Sequence, residues 1–297
     1  MRRLVLLALG LALVGLVTFL FLTQPRPRSM AVFDGLQGDT THGEAVFWAA
    51  GCASCHMAPK ATGAAELVLA GGQRFDSPFG TFLAPNISPD PDQGIGGWTI
   101  QAFACAIQDG VSPDGQHYFP ALPYAAFSKM EPQDVVDLKS FIDTLPASTT
   151  ASLPHEVPFP FNIRRAVGIW KLLFMNKDFH LQGDLSAEVA RGRYIVEAEA
   201  HCTECHTRRN FLGGLVTSAW LGGAPNPAGK GTIPNITPGA LNWSPDEIFA
   251  FLTTGFKPDF DMVGGSMSHV VDNMARLPES DVRAVVAYLK SVAPVPK

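Results

Sequence analysis

Two pentapeptides hold the chemistry of this chain: Cys52-Ala53-Ser54-Cys55-His56 and Cys202-Thr203-Glu204-Cys205-His206. Each reads C-x-x-C-H, the spacing at which two thiols add across the vinyl groups of a haem and the next imidazole comes under the iron. One helical turn brings the two sulfurs onto one side, with the ligand directly after them. A single copy fits half of a zinc site equally well. Two copies, each opening a stretch with the same later landmarks, point to two covalently bound haems c, with His56 and His206 as proximal ligands. Cys105, the fifth cysteine, lies on an apolar helical pattern and reads as a small buried hydrophobe. No structural disulfide is expected.

An electron-transfer iron usually takes a second axial ligand, often methionine, which raises the potential. In the first half, Met57 directly follows His56 and does not reach the opposite face of a ring. Met130, which follows the run Phe119-Pro120-Ala121-Leu122-Pro123-Tyr124, is the expected distal ligand. His117 is the alternative, and a core thioether is the plainer role for Met130. The second half offers Met262, Met267 and Met274. Met267 is preferred because Gly264-Gly265-Ser266 lets the backbone approach the ring closely. His269 reads as a surface or propionate-side residue, and His42, His155, His180 and His201 as ordinary polar residues.

The elements that must hold these groups occur twice. Ala84-Pro85-Asn86-Ile87-Ser88-Pro89 follows the first motif and Ile233-Pro234-Asn235-Ile236-Thr237-Pro238 the second. Trp98 to Gly110 matches Trp243 to Gly255 without a gap, and both read as helices. Thr99 and Ser244 are N-caps, Glu247 completes a capping box with Ser244, and a glycine ends each helix. Asp134 to Leu145 matches Asp281 to Val292, each an amphipathic terminal helix. Gly43 and Gly192 lie on helices leading into the motifs, where a glycine lets the terminal helix carrying Phe141 or Tyr288 cross closely. No sustained period-2 alternation marks strands. The expected architecture is mainly α: two tandem haem domains at 39–146 and 185–297, joined by a linker at 147–184. Leu153 to Pro160 of the linker is Pro-rich and expected to be extended. Asn162 to Met175 is apolar, too short to span a bilayer, and suits an inter-module seam or, as the second choice, the membrane surface.

Ahead of both modules, Leu4 to Leu22 is a run of 19 uncharged, mostly apolar positions behind Arg2 and Arg3. At 1.5 Å per residue it is roughly 28 Å long, close to the hydrocarbon thickness of a bilayer. No A-x-A site follows, so residues 1–24 are expected to be an uncleaved transmembrane anchor and 25–38 a tether. Arg2 and Arg3 favour a cytoplasmic N-terminus. Covalent haem is attached outside the cytoplasmic membrane. The expected location is therefore a bacterial inner membrane, single-pass, with the haem domains on the periplasmic side.

The chain has 297 residues, 46% hydrophobic and 16% charged, with a net charge of −5. There is no basic stripe, which excludes an electrostatic case for nucleic acid. No flavin or nicotinamide fingerprint and no nucleophile triad are present.

The landmarks together resemble the membrane-anchored cytochrome c subunits of bacterial periplasmic dehydrogenases for alcohols, sugars and aldehydes. The resemblance covers about residues 40 to 294. It rests on both C-x-x-C-H motifs, the paired P-N-I-[ST]-P loops, Gly94 to Trp98, Asp109 to Gly115, and Gly264 to Met267. It implies class I-like cytochrome c domains. It also implies that Asn86 and Asn235 are candidate donors to haem propionates. Members often have three haem modules and this chain has two. Many carry P-A-M-P-Y or P-A-F-P-Y where this chain has Pro120-Ala121-Leu122-Pro123-Tyr124, and Leu122 cannot ligate iron. The implied role is electron transfer from a periplasmic dehydrogenase or another redox protein towards quinone or a terminal oxidase, without substrate chemistry of its own. Two alternatives stay open: a dihaem oxidoreductase of the peroxidase or thiosulfate-oxidising type, and a cytochrome c subunit of an oxidase complex.

Overall fold

The computed structural model describes all residues except Pro27, Ala228, Lys230 and Lys297. Helix α1, Arg2–Leu22, stands outside the packed body with none of its residues buried. It is long and apolar enough to cross a membrane, with a mean hydropathy of 2.8.

The first module follows as α2 (Thr40–Ala49), α3 (Cys52–His56), a hairpin of β1 (Arg74–Ser77) and β2 (Gly80–Leu83), α4 (Ile100–Asp109), α5 (Tyr124–Phe127) and α6 (Pro132–Ile142). The linker contains α7, Val167–Phe174. The second module repeats the order: α8 (Ala187–Tyr194), α9 (Thr203–His206), a minimal hairpin of β3 (Ala224–Pro225) and β4 (Thr232–Ile233), then α10 (Pro245–Thr254), α11 (Met267–Met274) and α12 (Glu279–Ser291). The hairpins are too short for a period-2 pattern to register in the sequence.

Local chemistry sets the helix ends. Asp39 accepts from the Thr41 and His42 amides at the start of α2. Thr99 caps α4, and Ser244 with Glu247 forms the reciprocal capping box of α10. Gly110 and Gly255 end α4 and α10 with φ of 59° and 77°. This is the left-handed cap that glycine adopts without cost.

The helix entering each motif crosses the terminal helix of its own module at the expected glycine. A Cβ on Gly43 would lie 2.1 Å from the Asp137 carbonyl oxygen and 3.0 Å from the Phe141 Cβ. One on Gly192 would lie 1.9 Å from the Ala284 carbonyl oxygen and 2.9 Å from the Tyr288 Cβ. The modules differ by one residue on this approach, since Gly192 precedes Cys202 by one position more than Gly43 precedes Cys52. The second module absorbs the extra residue as a π-helical turn, Ile195–Glu199, with Cys202 N–H bonded to the Val196 carbonyl.

Buried side chains of both modules form one hydrophobic cluster, from Phe47 and Leu138 to Ile195, Leu221 and Val285. The linker begins extended, as expected: Glu156 pairs antiparallel with Thr81, and Arg74 forms an ion pair with it. Helix α7 then touches both modules. Lys171 Nζ donates to the Asp109 and Gly110 carbonyls and to His117 Nδ1, while the Phe174 ring lies against Gly214.

Candidate haem centres

Each motif folds as a single helical turn, α3 or α9. Cys52, Cys55 and Cys202 are partly exposed as residues and Cys205 is exposed. Burial first, and then a neighbouring cysteine, push the Cys52 and Cys202 thiols up to about 12 and Cys55 up to about 11.

The histidines are set by a bond that the sequence reading missed. His56 Nδ1–H donates to the Pro85 carbonyl at 2.9 Å, and His206 Nδ1–H to the Pro234 carbonyl at 2.8 Å. Burial lowers the pKa of both rings, with the proline carbonyls opposing in part. A neutral ring that donates from Nδ1 keeps its Nε2 lone pair for a metal, and the carbonyl fixes its orientation. The donor set thus fits a C-x-x-C-H haem in both modules. The signal was present, because the acceptor in each case is the proline of a P-N-I loop.

Those loops are pinned by matching backbone bonds. Gly71 and Gly223 N–H groups donate to the His56 and His206 carbonyls at 2.7 Å. The Ile87 and Ile236 N–H groups donate to Leu69 and Leu221 at 3.0 Å. A Cβ on Gly71 (φ +74°) would sit 2.5 Å from Pro85 C, and one on Gly223 (φ +87°) 2.9 Å from Asn235 N. Glycine is therefore required where the two segments run side by side. A shared Leu-x-Gly after each motif marks these positions in the sequence.

Asn86 and Asn235 both make hydrogen bonds within the protein that hold their loops. Asn86 Nδ2 spends both hydrogens on the Ser148 and Thr150 carbonyls, and its Oδ1 accepts from the Ser88 amide. No hydrogen is left for a propionate. Asn235 Nδ2 donates to the Val295 carbonyl, and Oδ1 accepts from Thr237. Each asparagine ties its loop to the segment that leaves the terminal helix.

His117 is removed as a distal ligand. Its Nε2–H donates to the Thr23 carbonyl at 2.8 Å and its Nδ1 accepts from Lys171 at 3.0 Å. Both nitrogens are committed at the foot of α1. Met130 is buried in the hydrophobic cluster, and its carbonyl accepts from the buried Gln108 amide at 2.8 Å. Met267 is the first residue of α11 and packs against the same cluster. Met274 is a core residue and Met262 is exposed. Extending the Asp134–Asp281 register backwards sets Met130 opposite Leu277. The two preferred methionines therefore do not occupy equivalent positions.

The two motifs meet across the module boundary. Ser54, inside the first motif, accepts from Asn273 Nδ2 at 3.0 Å. His201, beside Cys202, donates from Nε2 to the Ala50 carbonyl at 3.3 Å and packs edge-on against Phe127. Arg276 lies over Trp48 at 4.1 Å. Tyr194 OH donates to Asp134 and accepts from the Glu131 amide. Nothing in the spacing of these residues announces the pairing.

A haem-attachment turn, a proline carbonyl holding the proximal ring and a crossed pair of helices, all present twice, define a tandem c-type cytochrome. Comparison with known proteins agrees module by module. Residues 40–146 match the family described as Cytochrome c, and residues 187–289 that described as Cytochrome C oxidase, cbb3-type, subunit III. A protein of Cereibacter sphaeroides named diheme cytochrome c-type is 52% identical over 292 residues, covering 98% of this chain and 99% of that one. The chain belongs to the dihaem cytochromes c, and it holds two covalently bound haems c. It is also 36% identical over 278 residues to the fructose dehydrogenase cytochrome subunit of Gluconobacter japonicus, covering 91% of this chain and 55% of that one. To the alcohol dehydrogenase (quinone) cytochrome c subunit of Gluconacetobacter polyoxogenes it is 34% identical over 259 residues, covering 82% and 54%. The chain thus spans about half the length of these two dehydrogenase subunits.

Proposed function

We propose that this protein is a membrane-tethered electron relay. It takes electrons from a periplasmic dehydrogenase and passes them to quinone or a terminal oxidase. The observation that carries this reading is the meeting of the two attachment motifs at one packed seam, which favours exchange between the haems within one chain. Haem supplies the one-electron chemistry when bound, while the protein sets ligation, burial and orientation. In this reading Met130 and Met267 are the distal ligands. The body lies on the periplasmic side, with Arg2 and Arg3 in the cytoplasm. The relatives that serve as cytochrome subunits of fructose and alcohol dehydrogenases support a dehydrogenase as donor. The second module's match to an oxidase subunit family favours a second reading, in which the chain is a subunit of an oxidase.

The test is spectroscopic and biochemical together. The purified protein is expected to show two six-coordinate, low-spin irons and little carbon monoxide binding after reduction. Gentle detergent extraction is expected to retain a dehydrogenase subunit. A high-spin iron that takes up carbon monoxide or peroxide readily would overturn the relay in favour of a dihaem oxidoreductase. Retention of an oxidase instead would establish the second reading.

A further inference from the structure

Helix α7 has two faces. Val167, Gly168 and Lys171 face the body of the protein. Ile169, Leu172 and Leu173, on the opposite side, are 43%, 61% and 61% exposed. Just before the helix, Phe159, Phe161 and Ile163 are exposed as well. Single exposed apolar residues are ordinary, but a run of large ones on one stretch marks an interaction surface.

The position of the stretch selects its occupant. A Cβ on Gly168 would lie 2.7 Å from the Thr23 Cβ, so α7 packs against the residue that ends α1. Arg165 reinforces the joint, donating to Thr23 Oγ1 at 2.9 Å and to the Leu20 carbonyl at 2.5 Å. Helix α1 has 21 residues, a rise of ~31 Å, which places Thr23 at the edge of the hydrocarbon layer. Helix α7 therefore begins at head-group depth. Two exposed cations lie close by in the chain, Arg26 three positions past Thr23 and Lys177 three past the end of α7, the latter 3.4 Å from Asp109. Apolar side chains beside cations at that depth are the composition of an interfacial helix.

We propose that α7, with the aromatic segment before it, is a second membrane contact. The Ile169, Leu172 and Leu173 face lies at the boundary of phospholipid head groups and acyl chains in the same bilayer that α1 spans. The foot of α1 already packs on His117 of the first module, and a second contact beside it holds that module towards the membrane. The inference rests on α1 being the anchor, and the test separates the two.

The full-length protein would carry p-benzoylphenylalanine at Leu172 in one variant and at Leu173 in another, and be irradiated in native membranes. Equivalent variants at Leu9, in α1, and at Phe260, exposed on the second module, serve as references. Haem absorbance reports folding. Phospholipid adducts are expected at Leu172, Leu173 and Leu9 and not at Phe260. A lipid adduct at Leu9 with a protein adduct, or none, at both Leu172 and Leu173 would overturn the second contact and leave the anchor standing. Lipid adducts equally strong at Phe260 would also overturn it. No lipid adduct at Leu9 would remove the anchor and the inference with it.

Discussion

Both carboxylate oxygens of Glu199 are buried without a hydrogen-bond donor, on the π-helical turn just ahead of the second motif. Arg191 stands 3.6 Å away, and the Glu199 side chain is 1% exposed. Burial first, then the Asp134 and Asp281 charges, push the carboxyl up to about 7, with Arg191 opposing. The ordinary value is 4.5. Below that pH the folded and unfolded chains both hold the proton, and the site costs nothing. As pH rises towards 7 the unfolded chain releases its proton while the folded one keeps it, so stability falls through that window and is flat above it. Glu199→Gln should remove the slope. Its melting temperature relative to wild type should rise between about pH 5 and about pH 8, by the equivalent of about 1–3 kcal/mol. A difference that stays constant with pH would show that Glu199 does not titrate there. The irons supply a second prediction at this scale. Met267→Ala should give one high-spin haem with a lowered potential and leave the other unchanged, and Met130→Ala should do the same for the first haem. Optical and potentiometric titration of each variant reads this directly. A variant that stays fully low-spin would exclude its methionine as a ligand.

At the level of elements, the crossings of α2 with α6 and α8 with α12 leave no room for a side chain. Gly43→Val and Gly192→Val would drive a Cβ to within 2.1 and 1.9 Å of a backbone carbonyl oxygen. Backbone cannot swing away as a side-chain tip can, so the helices must separate. Each substitution should cost at least about 1–3 kcal/mol, the usual range for overpacking, and more where the backbone resists. Chemical denaturation of the haem-loaded protein measures it. A loss below about 0.5 kcal/mol would mean that the crossing is looser than the structure has it. Both crossings were legible from a glycine opposite an aromatic in two aligned copies. The π-helical turn was legible only as an unexplained one-residue offset, because hydrogen-bond register inside a helix leaves no side-chain pattern.

For the molecule as a whole, α1 shares no core with the haem modules, while Thr23 is buried against His117, Gly168 and Arg165. Removing residues 1–22 behind a cleavable export signal, with Thr23 kept, should release a soluble protein that still holds two haems. Its denatured mass should exceed the polypeptide by both groups. A product that remains in the membrane fraction would place further anchoring elsewhere, with α7 the first place to look. Loss of one haem would show that the foot of α1 is needed to assemble the first module.

The sequence alone determined the chemistry that depends on short spacing. C-x-x-C-H is complete within five residues, capping boxes within four, and a helix long and apolar enough to cross a membrane is read from one uninterrupted run. Repetition extended that reach, since the P-N-I loops and terminal helices were identified by appearing twice at matching distances. Tertiary structure decided whatever depends on where an atom's hydrogen bonds go. It set the Pro85 and Pro234 carbonyls against the proximal histidines. It tied His117 to the foot of α1 and withdrew it from the iron. It joined Ser54 to Asn273 across 219 positions and so brought the two haem motifs to one seam. Composition and periodicity report which residues prefer burial, but the choice of partner is made by packing between distant segments, and one chain read in order carries no record of that choice.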